Sequence, residues 1–272
     1  LAGHTGYGAS VTGSDGANEI TGTASRDSIS AGKGDDIIHV NTGTVADSDV
    51  MDGGTGADTL QIAAGLTTTI DVDSELQNVE TVALTTTGTL VLTGQTEAFT
   101  ITAGAGTSTI TSGTGNDTIT LSNDSGNDTI KISNTSLDTV GGFTVSEDHL
   151  VFTGLTGIDG VNANSVAVTA NAGTNDLADG KIIVFADASD MAGSTAITAF
   201  TDMTNVATAL AASLTETNTE SYVAIVNDLV GDEVYAYFVS NVAGGSIDAA
   251  EITLVAQLDD IGATAFAKTE IA

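Results

Sequence analysis

Residues 13–39 of the chain read GSDGANEITGTASRDSISAGKGDDIIH, and this stretch divides into three consecutive nine-residue units. Position 8 of every unit is isoleucine, and position 6 is an aspartate or an asparagine. A fourth unit, GGTGADTLQ (53–61), places Asp58 and Leu60 at those two positions. Glycines, an acidic residue and one apolar residue thus recur at a fixed period, which indicates a repeat architecture.

The same register returns further along the chain. Three more units, AGAGTSTIT, SGTGNDTIT and NDSGNDTIK, occupy residues 103–111, 112–120 and 123–131. Position 8 is therefore apolar in all seven units. A flexible glycine–aspartate linker would not require that apolar residue, so the pattern favours a folded repeat.

Each unit predicts a tight turn followed by a short strand. Glycine and asparagine accept the positive φ angles of tight turns, so the first six residues suit a turn. The last three residues suit an extended strand whose middle side chain points inward. Two units would then form one coil of a flat parallel solenoid. The sequence predicts a mainly all-β fold, a parallel β-roll or β-solenoid.

The rest of the chain is also β-like. The segments between the repeat blocks are rich in threonine and valine and often alternate apolar with polar residues, which is typical of half-buried strands. We interpret these segments as broader coils of the same solenoid: 67–73, 79–84, 89–93 and 98–102.

The nine-residue pattern disappears after about residue 153. Strands are predicted at 165–169, 181–185, 222–226, 233–239 and 251–256. Apolar residues spaced i, i+3, i+4 and i+7 predict one short helix over 203–214. The predicted organisation is a solenoid domain over residues 1–152 and a C-terminal β-rich domain over residues 153–272.

The acidic residue at position 6 calls for a counter-ion. Neighbouring coils lie ~4.8 Å apart, so identical aspartates would stack with like charge at close range. Calcium takes roughly six to eight oxygen ligands, and aspartates and turn carbonyls supply oxygen. Magnesium demands stricter geometry, and zinc is disfavoured because the chain has no cysteine and only three histidines. The repeats therefore predict calcium in the turns.

The units resemble the GGxGxD nonapeptides of RTX (repeats-in-toxin) proteins. Residues 53–60 match that pattern in full, and residues 31–38 and 112–119 match it except at position 1. Two other features resemble bacterial RTX surface-layer proteins: LQNVETV (76–82) before threonine-rich strands, and Gly142-Phe143 with Asp148, Leu150 and Phe152. The resemblance implies a calcium-loaded β-roll that is secreted by a type I system, with an uncleaved export signal within residues 153–272.

The resemblance also implies a set of calcium ligands. Side chains at position 6 would bind the ion: Asn18, Asp27, Asp36, Asp58, Asp117 and Asp128. Backbone carbonyls around the turn glycines would complete the coordination: Gly32, Gly34, Gly54, Gly56, Gly113 and Gly115. Ser108 replaces the aspartate of unit 103–111, and unit 22–30 has one glycine and carries Arg26. We expect weaker calcium sites in those two turns.

Composition excludes several classes of function. Five Lys and Arg residues against 36 Asp and Glu residues give a net charge of −31, which excludes nucleic-acid binding by phosphate neutralisation. No apolar run reaches the ~18–20 residues of a membrane span, so no membrane insertion is expected. The three histidines, His4, His39 and His149, fall in no known catalytic motif. We predict that the chain is not an enzyme; a polysaccharide-degrading enzyme ranks last, because nothing singles out one carboxylate pair.

Two functions remain open at this point. The first is a secreted structural protein at the cell surface, a subunit of a surface layer or extracellular filament with calcium-triggered folding and self-assembly. Its partners would be further copies of the chain, in a homo-oligomer or homopolymer, and a cell-surface polysaccharide. The alternative is the C-terminal RTX and export portion of a larger secreted enzyme, toxin or adhesin, which the upstream gene sequence would reveal.

Overall fold

A computed structural model of the chain describes residues 8–41, 49–133, 135–153, 165–168, 181–185, 199–213, 221–228, 230–240 and 247–259, together with residues 188, 191 and 261. The chain divides into two compact units, Leu1–Ile130 and Lys131–Ala272. The domain boundary at residue 152 stays a prediction. No helix within the described residues is long and apolar enough to cross a membrane.

Short strands make up most of the first unit. They are β1 (Ser10–Thr12), β2 (Glu19–Thr21), β3 (Ser28–Lys33), β4 (Ile37–Val40), β5 (Val50–Thr55), β6 (Thr59–Ile62), β7 (Thr67–Thr69), β8 (Leu76–Gln77), β9 (Thr81–Leu84), β10 (Thr86–Val91), β11 (Thr100–Thr102), β12 (Ala105–Thr111) and β13 (Thr118–Thr120). A short 3-10 helix, Asp73–Glu75, precedes β8, and β14 (Thr129–Ile132) begins at the end of this unit.

These strands form parallel sheets with the orders β1-β3-β5-β8, β2-β4-β6-β9-β11-β13 and β7-β10-β12. Ser10 pairs with Ser28, and Glu19 pairs with Ile37, so one coil spans 18 residues. Two nine-residue units therefore make one coil, as the sequence predicts. The parallel β-solenoid is confirmed, with about six turns.

The apolar residues at position 8 form the core of the solenoid. Ile20 pairs with Ile38, Ile38 with Leu60, and Leu60 with Val82 in successive coils. These four side chains are buried. Each buried side chain of this size stabilises the fold by about 1.5–3 kcal/mol, so a thin apolar column holds the coils together.

The second unit contains longer strands and one helix. Its elements are β15 (Asp138–Gly141), β16 (His149–Phe152), β17 (Ser165–Val168), β18 (Lys181–Phe185), α1 (Met203–Ser213), β19 (Ser221–Asp228), β20 (Glu233–Ser240), a 3-10 helix (Ala249–Glu251) and β21 (Ile252–Asp259). The five strands predicted after residue 153 are all present, and residue 169, the last of the first predicted strand, lies outside the described residues. The predicted helix is confirmed from Met203 to Ser213, and residue 214 lies outside the described residues.

The strands of this unit follow the order β17-β18-β19-β20-β21-β15. The pair β19–β20 is an antiparallel hairpin, and β18 runs parallel to β19. Helix α1 buries Val206 and Leu210 in a core that also contains Tyr222 and Tyr237. The Tyr237 hydroxyl donates a hydrogen bond to the Phe200 carbonyl at 2.7 Å, so the phenol is satisfied inside that core.

Candidate metal centre in the solenoid turns

Carboxylates at position 6 form a ladder between successive coils. One oxygen of each carboxylate accepts a hydrogen bond from the backbone N–H at position 6 of the preceding coil, and the seven distances lie between 2.6 and 2.8 Å. The donor and acceptor residues are Ala9 and Asp27, Asn18 and Asp36, Asp27 and Asp49, Asp36 and Asp58, Asp58 and Glu80, Phe99 and Asp117, and Ser108 and Asp128. The aspartate thus ties one coil to the next through its first oxygen.

The second oxygen is left over in consecutive carboxylates of this ladder. Asp36 and Asp58 are each 1% exposed, and their Oδ2 atoms are buried without a hydrogen-bond partner. A buried carboxylate oxygen without a partner is costly, because it loses its hydration without compensation. A cation bound at the turn would supply the missing partner.

Glycines bring the turn carbonyls close to these carboxylates. Gly32 and Gly54 pair across β3 and β5, and both have positive φ angles, 114° and 99°. A Cβ atom built at Gly54 would lie 2.0 Å from the Gly32 carbonyl oxygen. One built at Gly56, where φ is 146°, would lie 2.1 Å from the Gly34 carbonyl oxygen. The structure therefore places the predicted glycines of units 31–39 and 53–61 in one stack with Asp36 and Asp58.

Charge accumulates in this stack. Burial raises the pKa of the Asp58 carboxyl above its ordinary value, and the hydrogen bond from the Asp36 N–H opposes that shift. The negative charges of Asp36, Glu80 and Asp35 raise the pKa further. The like-charge repulsion expected from the sequence is therefore present, and calcium, a hard cation that prefers oxygen, fits the donor set.

Two predicted ligands of the first turns already use their side-chain oxygens in hydrogen bonds to protein groups. Asp27 Oδ1 accepts bonds from the Ala9 N–H and the Thr23 hydroxyl, and Asp27 Oδ2 accepts the Thr23 N–H. Asn18 closes its own turn, because its Oδ1 accepts the Ser14 N–H at 2.6 Å. Neither side chain shows the spare buried oxygen seen in Asp36 and Asp58.

The turn of unit 112–120 is built differently. Neither Gly113 nor Gly115 has a positive φ angle. Cβ atoms built there would lie 2.5 Å from the Gln95 carbonyl oxygen and 1.8 Å from the Glu97 carbonyl oxygen, respectively. These glycines are therefore required for close approach of the preceding turn, and the predicted ligand Asp117 lies at the end of their turn.

Asp124 stabilises the turn that lacks a position-6 aspartate. Its carboxylate accepts hydrogen bonds from the Ser122 hydroxyl and from the N–H groups of Gly106 and Gly126, and these bonds lower the pKa of the carboxyl. Ser108, in the same turn as Gly106, donates its N–H to Asp128 at 2.6 Å. Unit 103–111 is thus tied to the next coil by two aspartates, although it contributes no carboxylate itself.

Sequence reasoning missed two members of the ladder, Asp49 and Glu80. Neither lies in a glycine-rich unit, yet each stands two residues before a buried apolar residue, Met51 or Val82. That spacing is the one between positions 6 and 8, and it was the signal that could have identified both residues. Among the described residues, no group of three or more His, Asp or Glu side chains is placed to hold a metal ion.

The Gly54→Ala substitution tests the close approach of the turns. A left-handed conformation costs a non-glycine residue about 1–2 kcal/mol, and the contact with the Gly32 carbonyl adds to that cost. We expect the free energy of unfolding in calcium to fall by at least ~2 kcal/mol, measured by urea denaturation.

Two other glycines serve as controls for Gly54→Ala. Gly65 has a φ of 73° but no atom within 4 Å of a built Cβ, so Gly65→Ala should cost only about 1–2 kcal/mol. Gly16 has neither feature, and Gly16→Ala should change the stability by less than about 0.5 kcal/mol. Equal losses for Gly54→Ala and Gly65→Ala would show that the contact with Gly32 is unimportant.

Comparison with known proteins bears on the same residues. A family model described as the RTX calcium-binding nonapeptide repeat (4 copies) matches residues 12–44, 46–61 and 100–130. No curated protein and no solved structure gives a significant match.

The assignment of individual ligands stays a prediction. Proteins with these repeats are typically secreted, and the repeat solenoid is a structural calcium-binding fold. The first unit of this chain carries RTX calcium-binding repeats, and calcium is its metal.

Proposed function

We propose that this chain is a secreted structural protein, a subunit of a bacterial surface layer or extracellular filament, in which calcium triggers folding and then assembly. The position-6 ladder carries this proposal. Stacked carboxylates with spare buried oxygens, as in Asp36 and Asp58, make the solenoid dependent on a bound cation. Such a dependence suits a protein that folds only after it leaves the cell.

The two oxygens of a position-6 carboxylate have different roles. One oxygen of each position-6 carboxylate accepts the N–H of the preceding coil, and the other oxygen of Asp36 and Asp58 is buried without a hydrogen-bond partner and is available to a cation. Bound calcium supplies the positive charge that offsets the repulsion between these side chains. Extracellular sites bind calcium with Kd values of ~10⁻⁴–10⁻³ M, so they fill outside the cell and stay empty in the cytosol.

The edges of the solenoid offer a means of assembly. Strands β1 and β2 stand at the ends of their sheets, and among the described strands each pairs on one side only. A free parallel edge presents unpaired N–H and C=O groups that suit a further strand. Because the net charge is −31, two copies would repel one another unless divalent cations lay between them. Further copies of the chain are therefore the proposed partners.

Electron microscopy of the purified full-length chain tests the assembly. We expect ordered sheets or filaments in millimolar calcium and dispersed particles in excess chelator. Magnesium at the same concentration is the control, because it screens charge equally but fits these turns poorly. Light scattering that finds a folded monomer at every calcium and protein concentration would rule out the structural role.

A further inference from the structure

The stack of glycine-rich turns ends at a turn of another kind. Met51 pairs with Leu76, 25 residues later, whereas Thr59 pairs with Thr81, 22 residues later. The turn Asn78–Glu80, between β8 and β9, is therefore three residues shorter than the turn Gly53–Asp58 on which it stacks. It has no glycine and belongs to no nine-residue unit.

We propose that the turn Asn78–Glu80 completes a calcium site with the turn Gly53–Asp58, the Glu80 carboxylate and the Asn78 backbone carbonyl being ligands. This inference deepens the calcium-dependent function proposed above and rests on it. Nothing in the repeat pattern assigns either residue to a metal site, because residues 76–82 lie outside the stretches that match the family model.

The first observation is the unused oxygen of Asp58. This side chain is 1% exposed, and Glu80 Oε2 accepts its backbone N–H at 2.7 Å. Asp58 Oδ1 accepts the Asp36 N–H at 2.8 Å, whereas Asp58 Oδ2 is buried without a hydrogen-bond partner. The last carboxylate of the glycine-rich stack thus presents an unsatisfied oxygen next to the Asn78–Glu80 turn.

The second observation is the position of the Asn78 carbonyl. A Cβ atom built at Gly53 would lie 2.1 Å from the Asn78 carbonyl oxygen and 2.7 Å from Asp58 Oδ2. The two oxygens therefore lie close to one another beside the Cα atom of Gly53, where any side chain at this position would collide with them. Asn78 reaches this place with a φ of 51°, and its side-chain amide donates to Asp52 Oδ1 at 2.7 Å.

The same geometry occurs between two genuine repeat turns. A Cβ atom built at Gly13 would lie 2.0 Å from the Ala31 carbonyl oxygen and 2.4 Å from Asn18 Oδ1. Asn78 thus takes the place that Ala31, the first residue of a repeat unit, takes one coil after Gly13. The short turn therefore places a carbonyl oxygen where a nonapeptide turn would place one, although it lacks the nonapeptide sequence.

Glu80 reproduces the position-6 side chain in the same way. It stands directly before Thr81, which pairs with Thr59, so it has the register of Asp58 one coil later. Glu80 is exposed, whereas Asp58 is buried, so the site would open to solvent on the Glu80 side and an ion could enter there. The buried Asp58 carboxylate, the exposed Glu80 carboxylate and the Asn78 carbonyl are all oxygen ligands, and calcium prefers oxygen ligands.

Calorimetric calcium titration of the full chain tests this site, with Glu80→Gln as the variant. Glutamine keeps an oxygen that accepts the Asp58 N–H and removes only the charge. We expect one calcium ion fewer per chain, or a Kd for one site at least ~10-fold higher, which corresponds to about 1.4 kcal/mol. Glu80→Asp, which keeps the charge on a shorter side chain, should lie between the parent and Glu80→Gln.

The control is Glu19→Gln, which removes the same charge from an exposed strand position and should bind calcium as the parent does. Unchanged stoichiometry and affinity in Glu80→Gln would overturn the proposal. So would a loss of fold, measured by circular dichroism, that saturating calcium does not restore, because the Glu80 charge would then be required for the fold itself and not for a calcium site. A parent chain that binds no calcium would instead refute the proposed function itself.

Discussion

We expect excess chelator to unfold the solenoid of this chain and millimolar calcium to restore it. We expect the far-ultraviolet circular dichroism of the full chain to lose much of its β signal in chelator and to regain it cooperatively on calcium addition. A site at ten times its Kd adds RT ln 11, about 1.4 kcal/mol, to the stability of the folded state. Because domains are stable by only ~5–15 kcal/mol, a few such sites decide whether the first unit folds.

Magnesium and monovalent salt separate binding from screening in this experiment. Salt at the same ionic strength weakens repulsion between exposed charges, but it cannot satisfy the buried Oδ2 atoms of Asp36 and Asp58. Calcium should therefore restore the fold at concentrations where neither control does. A circular dichroism spectrum that is identical in chelator and in calcium would contradict the counter-ion mechanism.

The architecture of the solenoid could be predicted because one residue in each unit, at position 8, is part of the apolar core. Position 8 must be apolar to fill a column only one side chain wide, and Ile20, Ile38 and Leu60 satisfy that requirement coil after coil. The nine-residue period then fixes the 18-residue coil. The order of the second unit's sheet was not predictable in this way, because pairing between distant strands leaves no short-range pattern.

The site could be predicted only in part. The glycine-rich motif identifies turns, so it identifies Asp36 and Asp58 together with their glycines. It does not show that one oxygen of each carboxylate is already used by the preceding coil, since that bond joins residues 18 or 22 positions apart. The motif does not identify Glu80 for the same reason. Glu80 belongs to no repeat unit, and only the pairing of β6 with β9 places it one coil after Asp58.

The double substitution Asp58→Ala with Asp117→Ala should raise the calcium concentration at the folding midpoint strongly. Both variants remove a predicted ligand, and two lost sites amount to about 3 kcal/mol at ten times Kd. Each also removes the acceptor for a backbone N–H, that of Asp36 or Phe99. Such a bond adds about 0.5–1.5 kcal/mol. Circular dichroism during calcium titration measures the midpoint.

Asparagine at the same two positions separates the two contributions. Asp58→Asn with Asp117→Asn keeps an oxygen for each N–H but removes the charge, so we expect a smaller shift of the midpoint than with alanine and near-parental stability at saturating calcium. Asp71→Ala with Glu19→Ala removes two exposed charges and should leave the midpoint unchanged. If alanine and asparagine gave the parental midpoint, position 6 would serve the hydrogen-bonded ladder alone, and calcium would have to bind elsewhere in the turns.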